Sequence, residues 1–110
     1  MPPITSEIIL PSPAPGTRRT LRVHRYGAPG ARPKAYFQAA LHADEIPGLL
    51  VAQHLLCGLE QAQMEGRILG EVVVVPVANP IGLGQHLNGR LLGRFDFEST
   101  GNFNRGFPDL

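Results

Sequence analysis

Polar and apolar positions alternate through "TRRTLRVHRYG", with Leu21 and Val23 two apart and Tyr26 beyond them, which is the period of a half-exposed strand. Before it, Glu7 to Leu10 reads as a short strand stopped by the Pro/Gly loop "PSPAPG". "APGARP" is a turn by composition, and "KAYFQAALH" follows as a strand without polar alternation, as a buried strand has none. The two strands flanking that turn are expected to pair as a hairpin. From Glu45 to about Met64 the period becomes helical: Leu49, Ala52, Leu56 and Leu59 recur at three- and four-residue steps, and Leu50, Val51 and Leu55 widen the stripe. Asp44 is the expected N-cap, and Pro47 suits a first turn, where its missing N–H has no intrahelical partner. "GEVVVVPVANP" then carries four consecutive valines, the pattern of a strand buried on both faces. Strand, helix and buried strand make a βαβ unit with a right-handed crossover. Beyond Asn79-Pro80 the period disappears, and residues 79–110 read as one long loop rich in Gly, Asn, Arg and Phe. A loop of that length inside a compact domain is usually functional or disordered, and its aromatic and Arg content argues against a flexible linker.

Composition narrows the classes. The 110 residues suit one domain at most, and 43% hydrophobic content suffices for a core. A net charge of +1, with scattered Lys and Arg apart from Arg18-Arg19, provides no basic field for nucleic acid. One cysteine, Cys57, excludes an internal disulfide and a cysteine-based zinc site; its place in the helical pattern predicts an inert buried thiol. The N-terminal "MPPITSEIILPSPAPG" lacks the basic and apolar regions of a signal peptide. No apolar run approaches the ~20 residues of a membrane span. A soluble, cytoplasmic protein with no membrane partner is the expectation.

Two stretches carry candidate chemistry. In "LHADEIPG", His42 ends a strand and Glu45 opens a helix, so both can reach one point above the C-terminal edge of the sheet, where α/β folds put their ligands. Imidazole nitrogen and carboxylate oxygen are usual ligands of a catalytic zinc. The other reading leaves Asp44 and Glu45 complementing the helix N-terminus, with His42 a satisfied polar residue. In "GNFNRGFPDL", the Arg105 guanidinium offers a planar fork matching a carboxylate, and the Asn104 amide adds a donor. The alternative is a surface loop with Arg105 paired to Asp109 or Glu98.

Taken together, "ALHADEIPG", "VVVVPVANPIGLGQ" and "GRFDFESTGNFNRGFPDL" resemble the succinylglutamate desuccinylase/aspartoacylase family of the zinc carboxypeptidase superfamily, from about Ala35 to Leu110. The resemblance implies an α/β fold, a three-layer mixed-sheet zinc-peptidase-like architecture of which this chain holds the N-terminal half. It implies that His42 and Glu45 are two zinc ligands and that Asn104 and Arg105 bind the substrate carboxylate. Arg94 matches the arginine that polarises the scissile carbonyl, with Arg90 as second choice. Asp44, between the ligands, is a candidate to hydrogen-bond the histidine or cap the helix. The implied cofactor is Zn2+, which acidifies a bound water and polarises the carbonyl. The implied substrate is an N-acyl amino acid or a related carboxylate-bearing amide, cleaved at its C–N bond.

Two parts of the family's site have no match here. Its third zinc ligand, a histidine, and its general base, a glutamate, both follow the Asn-Arg motif, and this sequence ends five residues after Arg105. His24, His54 and His86 do not match that ligand, although His86 lies in the long loop. The chain therefore reads as the N-terminal portion of one catalytic domain, inactive alone, with its valine strand deprived of neighbours and its exposed edge prone to self-association. The alternatives are a zinc carboxypeptidase or peptide amidase using the same clamp, and a non-catalytic carboxylate-binding fragment.

Overall fold

The computed structural model describes residues 2–109. The elements run β1 (Ile4–Leu10), β2 (Arg19–Gly27), β3 (Lys34–Gln38), α1 (Ile46–Met64), β4 (Glu71–Val75), α2 (Pro80–Leu83), β5 (His86–Leu87) and β6 (Arg90–Leu91). The first four strands form one mixed sheet in the order β1-β2-β4-β3. β3 and β4 are parallel, from Lys34 opposite Glu71 to Gln38 opposite Val75, and α1 is their crossover. The other pairs are antiparallel. This is the expected α/β class.

The hairpin across "APGARP" does not form. β2 pairs with β1 through the Pro/Gly loop, from Ile4 opposite Arg25 to Leu10 opposite Arg19, and with β4 on its other side. β4 thus enters between β2 and β3. The physical reason lies in composition: "EVVVV" is apolar at every position after its first and gains most from a central place, whereas "KAYFQ" carries polar ends and tolerates an edge. The strand expected to be buried, β3, is exposed along most of its length, and the strand expected to lack neighbours, β4, has two. β1 also begins earlier than the Glu7–Leu10 expected, at Ile4.

Alternating β4 residues feed two clusters. Val74 packs with Tyr26 of β2 and Leu56 of α1, with Leu55, Leu59, Ile68 and Val72 around them. Val73 and Val75 pack with Val23, Leu21 and Ala78 on the other face, which borders an open apolar groove of about 420 Å³. α1 touches the sheet along a narrow stripe. Ala52 and Leu56 are buried, while Leu50 and Val51, expected to widen the stripe, are exposed. Cys57 is exposed as well, contrary to expectation. It follows Leu56 by one residue, which at 3.6 residues per turn carries it about 100° off the buried stripe.

Two polar groups mark the core's limits. Tyr26 is fully buried, and its hydroxyl is the one buried side-chain polar atom without a partner among the described residues. Glu71, buried at the start of β4, meets Lys34 at 3.2 Å and Arg25 at 3.3 Å and accepts from the Gly30 N–H. The Lys34 ammonium holds its carboxyl below the usual range. This network anchors the β2–β3 turn to the strand inserted between them. Among the described residues no helix is long and apolar enough to cross a membrane.

Candidate functional site

The C-terminal ends of the parallel strands open onto a polar corner. The Ala39 N–H donates to Val75 O at 3.1 Å, and Ala39 O accepts from the Ala78 N–H at 2.8 Å, so the chain is pinned past the end of β3. Buried Ala40 then takes a left-handed conformation, φ 58°, which few non-glycine residues adopt and which breaks the strand direction just before His42. The Glu45 N–H donates back to His42 O at 3.0 Å, closing one turn before α1 begins. Glu45, not Asp44, is the N-cap position, and it makes no side-chain cap bond. Asp44 is exposed, and its carboxylate accepts no hydrogen bond among the described residues.

The expected long loop is folded onto this corner by a few polar side chains. Asn79 caps α2 by accepting from the Gly82 N–H and donates its amide to Leu41 O at 2.9 Å, next to His42. Asn88 and Gly89, at φ 51° and 75°, form the two-residue turn between β5 and β6. Buried Gln85 donates to Leu92 O and Phe95 O and accepts from the Phe97 N–H. The Ala43 N–H donates to Gly93 O at 3.0 Å, an approach so close that a Cβ at position 93 would lie 2.6 Å from Asp44 N. Phe95 then bridges Asn102 as an antiparallel pair. Asp96 closes the turn between them through Ser99 and Thr100, and the Ser99 hydroxyl holds its carboxyl below the usual range.

The result brings four side chains together. His42 is 6% exposed, with Nδ1 3.3 Å from Glu45 Oε1 and Nε2 2.7 Å from Asn102 Oδ1. Arg94 Nη2 donates to Glu45 Oε1 at 2.7 Å. Of the residues singled out in the sequence, His42, Glu45 and Arg94 therefore share one corner. Asn104 reaches it by its backbone, donating N–H to Asn102 Oδ1 at 2.9 Å. Arg105 is exposed; it donates to Asn104 O and forms no ion pair among the described residues, so pairing with Asp109 or Glu98 is absent. Arg90, in β6, is exposed and makes no such contact. Asn102 went unnoticed in the sequence, although it stands two residues before Asn104, on the same side if the segment is extended.

The donor set suits a metal in part. Two ligands of a tetrahedral zinc with bonds near 2.1 Å stand roughly 3.4 Å apart, and His42 Nδ1 and Glu45 Oε1 stand at 3.3 Å. No group of three His, Cys, Asp or Glu able to hold a metal occurs among the described residues. His54 and His86 are both exposed, on α1 and β5.

Comparison with known proteins agrees with this architecture. The family model "Succinylglutamate desuccinylase/Aspartoacylase catalytic domain" matches residues 31–110. Among solved structures, a succinylglutamate desuccinylase/aspartoacylase family protein of Shewanella amazonensis SB2B is 31% identical with a TM-score of 0.74, over 97% of this chain and 28% of its own. A protein described in the same terms from Shewanella frigidimarina NCIMB 400 is 29% identical, with the same TM-score and coverage. An aspartoacylase family protein of Mesorhizobium loti MAFF303099, 24% identical with a TM-score of 0.57, shares the fold over 84% of this chain and 30% of its own. The chain thus spans under a third of the length of each. No curated protein matches it.

Proposed function

The chain belongs to the succinylglutamate desuccinylase/aspartoacylase family, and from that premise we propose that it carries part of the active site of a zinc-dependent hydrolase that cleaves the amide of an N-acyl amino acid. The observation that carries this reading is the convergence of His42, Glu45 and Arg94 at the C-terminal end of the parallel strands. His42 and Glu45 would hold the ion, with a third ligand from the remainder of the enzyme. Bound there, zinc would supply Lewis-acid polarisation of the carbonyl and a nucleophile at neutral pH. Arg94 Nη2 holds the Glu45 carboxylate in place at 2.7 Å, and a guanidinium has five N–H donors, so one bond to Glu45 leaves others for a carbonyl oxygen. Arg105, which forms no ion pair among the described residues, supplies the fork for the substrate carboxylate, and Asn104 an amide beside it. Once the remainder of the enzyme covers the exposed Arg105, an amide lacking that carboxylate would leave the guanidinium unmatched, so it should be rejected more strongly than one with an altered apolar group.

The test is made on the complete enzyme that contains this segment. His42→Ala is expected to bring hydrolysis of N-acyl amino acids to background and to lower bound zinc. Full activity in that variant would sink the assignment. A non-catalytic carboxylate binder is the second reading, supported by the presence of only two metal-donor side chains in the corner among the described residues. It requires that the 110-residue chain bind an N-acyl amino acid equally well with and without zinc.

A further inference from the structure

Given the hydrolase reading above, we infer that the acyl group of the substrate is bulky, apolar and uncharged, and that Leu92, Phe95 and Phe97 receive it. An open cavity of about 310 Å³ adjoins the polar corner, lined by these three side chains, Asp44 and Arg94. Arg94 is the link between the two. Its guanidinium reaches Glu45 Oε1 at 2.7 Å, and the same residue forms one wall of the cavity. A carbonyl polarised by Arg94 therefore has this cavity beside it. None of residues 102–105 lines it, so the acyl half, and not the amino-acid half held at Arg105, has access.

The cavity is held in shape by its own polar frame. Buried Gln85 fixes all three apolar walls through their backbones. Its amide donates to Leu92 O at 2.9 Å and Phe95 O at 2.7 Å, and its carbonyl accepts from the Phe97 N–H at 2.9 Å. Gly93 lets the same segment lie against residues 43 and 44, since a Cβ there would stand 2.6 Å from Asp44 N. With the backbone so held, Leu92, Phe95 and Phe97 stay 38%, 50% and 48% exposed. Three large apolar side chains on a fixed frame gain free energy when an apolar group covers them.

Size and charge then select the group. One water takes up ~30 Å³ of liquid and an acetyl methyl is of about that size, so acetyl leaves most of the cavity unfilled. A phenyl ring covers far more of the apolar wall. The Asp44 carboxylate lines the same space, is exposed and accepts no hydrogen bond among the described residues, so it repels a second carboxylate. Arg94 does not offset this, because its charge is shared with Glu45. A succinyl group, although it stands in the family's name, is thereby disfavoured.

The experiment uses the complete enzyme and substrates that share glycine as the amino acid: N-acetylglycine, N-succinylglycine and N-phenylacetylglycine. The phenylacetyl compound should exceed the acetyl compound in kcat/KM by about 10- to 100-fold, with the succinyl compound lowest. Phe97→Ala should cut the phenylacetyl-to-acetyl ratio about 10-fold, and Asp44→Asn should raise the succinyl-to-phenylacetyl ratio. Ratios taken on one sample are unaffected by any fraction that fails to fold. Acetyl or succinyl turned over as well as phenylacetyl would overturn the proposal and leave the hydrolase reading intact. So would a ratio unchanged in Phe97→Ala, which would mean that another part of the enzyme fills the cavity. If none of the three is hydrolysed, the hydrolase reading falls and the cavity is judged by binding. Calorimetry on the zinc-free enzyme should then still give a Kd about 10-fold tighter or more for N-phenylacetylglycine than for N-acetylglycine, a difference lost in Phe97→Ala. Equal Kd values would overturn the apolar site itself.

Discussion

The sheet and the corner above it are held together by different physics. Around Tyr26, Leu56 and Val74 cohesion comes from apolar side chains interlocking between β2, β4 and α1, with many interchangeable contacts. Around His42 it comes from single polar atoms in fixed places: the Asn79 amide on Leu41, the Gln85 amide on three backbone groups, Gly93 O on the Ala43 N–H. The apolar region tolerates change in shape at the cost of stability. The corner tolerates little, because each bond has one donor and one acceptor. A site that must hold ligands to a fraction of an ångström is better built the second way.

The largest effect is expected at the centre of the sheet. Tyr26→Ala should cost about 3–5 kcal/mol, as for other large buried aromatics, read by denaturant unfolding. Tyr26→Phe should cost nothing or stabilise slightly, since the hydroxyl has no partner among the described residues and its removal ends a desolvation cost. A loss from Tyr26→Phe as large as that from Tyr26→Ala would show that the hydroxyl, and not the ring, anchors this region.

A smaller effect belongs to the corner. Asn79→Ala removes the α2 cap and leaves Leu41 O unpaired, which together should cost about 1–2 kcal/mol. Hydrogen exchange should place that loss locally, with faster exchange near Ala43 and Gly82 and unchanged protection of β4 amides. Uniformly faster exchange would mean that the corner and the sheet open as one unit.

Acid should have a still smaller effect, beginning in the sheet and reaching both regions later. Burial, and next the Arg22 charge, lowers the His24 pKa in β2 against an opposing pull from Glu60. Its contribution to stability is full above the unfolded value of ~6.5 and is lost as pH falls from there toward the lowered folded value. Asp96 in the corner is lowered by Ser99 and Glu71 in the sheet by Lys34, so both contributions are full above the unfolded carboxylate values of about 4 and are lost together on further acidification. Unfolding free energy measured against pH should therefore decline in two stages, with the first absent in His24→Gln. A first stage that persists in that variant would assign it to another group.

Much of this was legible in the sequence, for reasons that particular residues make plain. The four valines announced a central strand because burial on both faces demands apolar residues at every position. The helical step announced α1 to within one residue of Ile46–Met64. His42, Glu45 and Arg94 were recognisable because their types and order resemble a known site. Asn88-Gly89 was legible too, as a turn whose two residues accept positive φ, but it was passed over within an aperiodic stretch. The hairpin across "APGARP" was a wrong expectation because pairing partners are chosen by the whole sheet, and a better occupant for the space beside β2 arrives 44 residues later, counted from Gly27 to Glu71.

By itself, the sequence determined the elements, the class of the fold and which residue types could meet a metal or a carboxylate, since periodicity and local chemistry act over a few neighbouring residues. The tertiary structure alone decided the strand order, the exposure of Cys57, Leu50 and Val51, and the partnership of Asn102 with His42, 60 positions away. Those are contacts between segments brought together by a crossover and a glycine-sized gap. Nothing within either segment encodes the position of the other.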